Sequence, residues 1–357
     1  VKVDEVPADL VRAGPGDRVA FDHHRVRIEV DDDVAGETTV KRFPTWGDAT
    51  QLVDLLDVRP DQADQAAEAA EAAEDAEDAD HARSGRPRFV TAARADWRRP
   101  VVEGSQILGQ SIVAAGRHAP GRRAVAAHLV FLRPADALQP LTLGLDELTA
   151  GRTFTTLAVQ VHQGERHIAT GTLLLDAMAP GVVRHGEPPP AGRPGPLDAR
   201  SEPYDMGVTG QDVRIVDGAY TGDPDAPVGP PELDAWVRHR PGVVPADDPY
   251  LHAGLLAHFT GHLPIAAALR PHAGIGQHQA HRTISTAINA VTLSLHTDVR
   301  ADEWLGFHHR STFAGDGMTH AECRVHDEQG TLVASFTVEA MVRPFRGAVP
   351  ADERRAL

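Results

Sequence analysis

The sequence has a single cysteine, Cys323, in 357 residues, so no disulfide can form within the chain. That absence fits a reducing compartment, and a cytoplasmic location is the expectation. Cys323 falls in an alternating apolar register, which reads as a core thiol rather than a nucleophile. Positive charge is sparse: 35 Lys and Arg stand against 51 Asp and Glu, a formal net charge of -16. A chain this acidic is not expected to bind nucleic acid or an anionic membrane, because both need local positive charge. No apolar run is long enough to span a bilayer, and no signal peptide is recognisable at the start. There is no G-x-S-x-G elbow, which argues against a serine hydrolase of the α/β type.

What is present suffices for a sizeable core. Apolar residues make up 41% of the chain, and its length suggests two domains. Residues 1–45 read as an N-terminal extension with strand-like alternation at Val26, Ile28 and Val30. Residues 46–178 are a first unit that opens with a helix over 46–58, with Asp48 as its cap and Leu52, Leu55 and Leu56 on one face. An acidic, alanine-rich insert at 61–85 interrupts it. Its acids repel at helical spacing and it has no apolar face beyond alanine, so it reads as a solvated, partly helical or disordered segment. Residues 179–232 are rich in Pro, Gly and Asp and are expected to be an irregular linker. A second unit, 233–345, and a tail, 346–357, complete the chain.

The two units share a layout. In the first, residues 105–117 predict a helix with Ile107, Leu108, Ser111, Ile112 and Ala115 on one face. In the second, Asp248 is placed to cap a helix with Pro249 in its first turn and Leu251, Leu255, Leu256 and Phe259 as its buried stripe. Strand-like alternation follows each helix: Leu157, Val159 and Val161 in the first unit, and Ala321, Cys323 and Val325 in the second. A turn at 327–330 leads to a last strand with Ala334, Phe336, Val338 and Ala340 on one face. A helix followed by an antiparallel meander, twice, is an α+β repeat.

Three stretches carry a resemblance to a known family. They are EGSQILGQSIVAAGR at 103–117, FLRPADALQPLTLGLDELTAGRTFTT at 131–156, and LHTDVRADEWLGFHHRSTFAGDG at 295–317 leading to DEQGTLVASFTVEAMVRP at 327–344. In this order they resemble the acyl-CoA thioesterase II (TesB-like) family. The resemblance implies a double hotdog fold, two tandem units in which a long helix is wrapped by an antiparallel sheet. It also implies an acyl-CoA or other acyl-thioester substrate. Hotdog proteins usually assemble further, so a homo-oligomer is expected.

The family handles its water with an Asp, a Ser or Thr, and a Gln. Carried over residue by residue, Gly261 takes the Asp position in LLAHFTG. Ile288 and Ala290, or with a one-residue slip Ala287 and Asn289, take the Thr and Asp positions of a second motif. Val338 takes the Gln position, with the neighbouring Glu339 expected on the opposite face. The family set is thus read as replaced. The alternative group is Glu103, just before Gly104 at the start of the first long helix, where free backbone N–H groups could polarise a thioester carbonyl. A carboxylate there could act as base or nucleophile. Equally, acids favour helix N-termini through the macrodipole with no chemistry implied. The candidate catalytic residues are Glu103, Asn289 and Thr260, and the candidate substrate contacts are Gly104, Ser105 and Gln106.

Among 20 histidines, His258 and His262 are four apart, a spacing that can share a metal on a helix, and His278 and His281 are three apart. No H-E-x-x-H pattern accompanies either pair, so they read as core or surface histidines, and no metal or cofactor is expected. His296 reads as a structural strand residue. The leading function is hydrolysis of fatty acyl-CoA to fatty acid and CoA. A non-hydrolytic acyl-thioester binder is the second reading. An enoyl-thioester hydratase or dehydratase is the third, because an Asp–His pair cannot be assembled from the sequence.

Overall fold

The structure is a computed structural model describing residues 17–22, 25–30, 41–42, 50–61, 87–92 and 101–344, without residues 207, 222, 224, 241–243, 246, 281 and 282. The acidic insert beyond Asp61, the Asp48 cap, His281 and the tail therefore lie outside the described residues. The chain divides into two compact units, Val1–Arg42 and Phe43–Leu357. In the first, β1 (Asp17–Asp22) and β2 (Arg25–Val30) form an antiparallel hairpin, and β2 carries the alternating Val26, Ile28 and Val30.

The second unit holds one continuous antiparallel sheet. Its strands are β3 (Val58–Pro60), β4 (Arg88–Thr91), β5 (Arg123–Phe131), β6 (Thr142–Ala150), β7 (Phe154–Gln163), β8 (Arg166–Asp176), β9 (Ser201–Asp205), β10 (Gln211–Val216), β11 (Glu232–His239), β12 (Ile284–Leu295), β13 (Leu305–Gly315), β14 (Met318–Asp327) and β15 (Leu332–Pro344). The spatial order is β3-β4-β6-β7-β8-β5-β12-β15-β14-β13-β11-β10-β9. From the central β5–β12 pair outward, each half runs through its first, last, third and second post-helix strand and then a strand from before its helix (β4 or β11), with β3 extending one edge and β10 and β9 the other. The two halves are therefore repeats joined edge to edge. The seam is antiparallel, with His128 opposite Thr292, and His128 Nδ1 lies 2.8 Å from Thr292 Oγ1.

Alternation along the strands explains how the sheet is buried. In β7, Thr155, Leu157, Val159, Val161 and Gln163 are buried while their neighbours are not. In β14, Ala321, Cys323 and Val325 are buried, and burial pushes the Cys323 thiol well above its usual range, as suits a core residue. The 327–330 turn closes through Thr331 N–H donating to Asp327 Oδ1 at 2.7 Å, with Gly330 at φ 83°.

The long helices are α2 (Gly104–His118) and α3 (Pro249–Phe259); a short α1 (Leu52–Leu55) precedes them and α4 (Pro264–Leu269) follows. Asp248 caps α3 as expected, its Oδ1 accepting from Leu251 N–H at 2.9 Å. Two expectations change. Of the described residues 50–58 within the helix expected over 46–58, only Leu52–Leu55 are helical, because Val58–Pro60 is recruited as a strand beside β4. Residues Ser201–Asp205 and Gln211–Val216 of the linker are strands, because the half-sheet continues outward through β10 and β9. Further, α2 is buried on all sides from Ser105 to Gly116 rather than along one face. The sheet covers one side and α3 the other.

The two helices run antiparallel at backbone contact. A Cβ added to Gly109 would lie 2.6 Å from the Gly254 carbonyl oxygen, and one on Gly116 would enter the Tyr250 ring. Among the polar groups of α2, Gln110 Nε2 donates to Leu55 O at 2.7 Å and Ser111 Oγ to Ile107 O at 2.8 Å, while Gln110 Oε1 is buried with no hydrogen-bond partner among the described residues. Among the described residues, no helix is long and apolar enough to cross a membrane.

Candidate active site at the helix seam

Antiparallel packing puts the amino end of α2 beside the carboxyl end of α3. Glu103 is the N-cap of α2, extended at φ -73° and ψ 141°, and its side chain makes no capping bond. The first-turn N–H groups that follow have no partner within the helix. A carboxylate here is stabilised by the helix dipole. Gly104 allows the Phe131 ring onto the helix start, since a Cβ there would lie 2.8 Å from the ring.

From the other repeat come His258, in the last turn of α3, and His262, just beyond it. His262 Nε2 lies 3.5 Å from Glu103 Oε2. The two imidazole rings are 5.0 Å apart, and His262 stacks on Phe259 at 4.9 Å with the rings 6° from parallel. His258 is buried, which lowers its pKa to about 3, with His262 adding to the effect and the Glu103 carboxylate opposing it. It is a neutral imidazole at pH 7. Tyr220 is buried beside them, its ring edge-on to Tyr204 at 5.1 Å. Burial first, then Tyr204 and the Glu103 carboxylate, hold its hydroxyl protonated. Tyr220 also forms part of the wall of a cavity of about 230 Å3, with Thr221, Leu269, Arg270 and Gln277.

The sequence candidates separate into two groups. Glu103, Gly104 and Ser105 stand at the seam, and Ser105 packs directly against Gly261: a Cβ on Gly261 would lie 2.5 Å from Ser105 Oγ and 3.0 Å from Ile288 Cδ1. Gln106 lines a different, smaller space with Leu55, Thr91 and Leu141. Thr260 is buried, and its hydroxyl donates to Ala257 O at 2.7 Å as part of the helix end. Asn289 is the extra residue of a bulge between Ile288 and Ala290, and its Oδ1 is buried with no hydrogen-bond partner among the described residues. Val338 is buried and Glu339 exposed, as alternation implies. His296 sits on the sheet with Nε2 2.9 Å from Ser335 Oγ.

Sequence reasoning weighed Glu103 and the histidine pair separately and did not join them. It also missed Tyr220. The signal that could have joined them was the i, i+4 histidine spacing together with the implied apposition of the two repeats' helices.

Two family models match the chain: the acyl-CoA thioesterase N-terminal domain over residues 93–175 and the acyl-CoA thioesterase C-terminal domain over residues 185–342. Acyl-CoA thioesterase 2 of Haemophilus influenzae is 24% identical over 255 residues, covering 68% of this chain and 87% of that protein. The solved structure of the acyl-CoA thioesterase II TesB2 from Mycobacterium marinum superposes with a TM-score of 0.61 at 22% identity, covering 84% of this chain and 99% of that one. A hotdog-fold protein from Alicyclobacillus acidocaldarius superposes with a TM-score of 0.58 at 17% identity, over 74% and 95% of the respective chains.

Proposed function

The chain belongs to the acyl-CoA thioesterase II (TesB-like) family and has its double hotdog fold, and from that premise we propose that it hydrolyses acyl-CoA thioesters at the seam where Glu103 meets His262. The carrying observation is the 3.5 Å approach of a carboxylate from one repeat to an imidazole from the other, at a helix amino end with free N–H groups. Glu103, steadied by His262, takes a proton from water. The water oxygen attacks the thioester carbonyl, and the α2 N–H groups stabilise the negative oxygen that develops. The C–S bond then breaks, the fatty acid departs, and the CoA sulfur takes up a proton.

The test is thiol release by the purified protein across acyl-CoA chain lengths. Hydrolysis is expected, with Glu103→Gln lowering kcat by about 100-fold or more. No release at any chain length, or full activity in Glu103→Gln, would overturn the proposal.

Two observations favour other readings, which the same experiment separates. Gly261, Ile288 and Val338 carry no water-handling group, and Ser105 fills the space a side chain at 261 would need, which favours a non-hydrolytic acyl-thioester binder. That reading expects saturable acyl-CoA binding without thiol release. Any side chain added at Gly261 would have to displace Ser105. An acid–imidazole pair, which sequence reasoning could not assemble, also suits water addition to an enoyl thioester, read as loss of crotonyl-CoA absorbance without thiol release.

A further inference from the structure

His258 has no role in the proton transfer just described, yet it belongs to the same cluster. One ligand atom from each of Glu103, His258 and His262 lies within 4.8 Å of the others. We infer that these three residues form a binding site for one divalent transition metal ion, zinc being the best fit, with a coordination position left for water or substrate.

The donor set carries the choice of ion. Two imidazoles and one carboxylate suit zinc, whereas calcium and magnesium favour all-oxygen sites. Three protein ligands with an open position is the pattern of catalytic rather than structural zinc. Geometry agrees: Zn–N and Zn–O bonds of about 2.0–2.1 Å at tetrahedral angles put neighbouring ligand atoms roughly 3.3 Å apart. Glu103 and His262 already stand at 3.5 Å. The remaining approach is at most about 1.5 Å, within reach of small side-chain rotations.

The surroundings resemble a supporting shell. His262 is held by its stack on Phe259. The Tyr220 hydroxyl and His239 lie within electrostatic reach of Glu103 and His258 respectively. Glu103 is the most accessible of the three, its side chain 14% exposed against 4% for His262 and a buried His258, so the open coordination position would lie on the Glu103 side. The inference shares its residues with the hydrolytic reading but does not rest on hydrolysis. With an ion bound, Glu103 becomes a ligand and the ion takes over the activation of water.

The test is metal titration of the chelator-stripped chain. Zinc binding is followed by calorimetry and cobalt(II) binding by its visible spectrum. One ion per chain is expected, at micromolar affinity or tighter, with a tetrahedral or five-coordinate cobalt spectrum. Glu103→Gln and His262→Gln should each weaken binding at least tenfold. His296→Asn, on the sheet, should not. No binding by the wild-type chain, or binding unchanged in both variants, would overturn the inference. Thiol release by the stripped protein is scored separately. Hydrolysis without metal binding refutes only the ion, and metal binding without hydrolysis refutes only the thioesterase.

Discussion

At one end of the helix pair Glu103 faces His258 and His262; at the other, Tyr250 lies across Gly116, and its hydroxyl donates to the carbonyls of Ala119 and Arg122. The two repeats have matching topology, so both ends begin as similar junctions of a helix start with a helix finish. They differ in how the helix start is treated. Asp248 turns its carboxylate inward to cap α3, whereas Glu103 leaves the first turn of α2 uncapped by its side chain. Beside α2's finish, His118 is paired outward with Glu147, its Nε2 2.8 Å from Glu147 Oε1. One junction is thereby closed by packing, and the other keeps polar groups and a carboxylate together. Symmetry of fold supplies two candidate places, and side chains select one.

The comparison can be broken most forcefully at the polar end. The loss of about 100-fold in thiol release expected of Glu103→Gln should come with little change in stability, since that side chain caps nothing. At the packed end the reverse is expected. Gly116→Ala would drive a methyl group into the Tyr250 ring and should cost roughly 1–3 kcal/mol in denaturant unfolding while leaving metal binding intact. An unchanged denaturation midpoint would contradict the packed interface.

A pH series sharpens the contrast between buried imidazoles and the rest of the fold. Burial lowers His309 to about 3 and His239 to about 4. Around His309 stand Asp234, His308, Arg193 and His262; around His239 stand the Ala301 carbonyl, His252, Asp212 and Asp302. In the unfolded chain both take a proton near 6.5, so below that pH the unfolded state binds protons that the folded state refuses. Stability is complete above about 6.5 and falls as pH drops toward 4, by up to about 1.4 kcal/mol per group per pH unit. Denaturation of metal-free protein at pH 7 and pH 5.5 measures it, and His309→Phe should remove about a third of the difference or less, because His239, His258 and the partly buried His252 and His326 carry the rest. The smallest effect belongs to the helix start: Asp248→Ala should cost about 1 kcal/mol, seen as a lower melting temperature with thiol release unchanged.

Much of this was legible in the amino-acid order. The cap at Asp248, the alternation of β7 and β14 and the repeat of helix and meander are local patterns, set by backbone geometry and by which neighbours share a face. The short helix at 52–55 was not legible because Val58–Pro60 pairs across the long insert with β4, and the linker strands were not legible because their Pro, Gly and Asp content masks a hairpin that is added to the edge of the half-sheet. The same holds for α2, which reads as apolar along one face only and is buried all round because α3 covers its other side.

The sequence by itself determined the repeat, the apolar periodicities and the presence of a lone acid at a helix start. Only the tertiary structure decided that this acid meets two histidines more than a hundred residues away, that Ser105 fills the space beside Gly261, and that Tyr250 closes the opposite end. Hydrophobic periodicity is written between near neighbours along the chain. A chemical site depends on distances across it, and these arise only when the seam strands and glycine-faced helices are packed together.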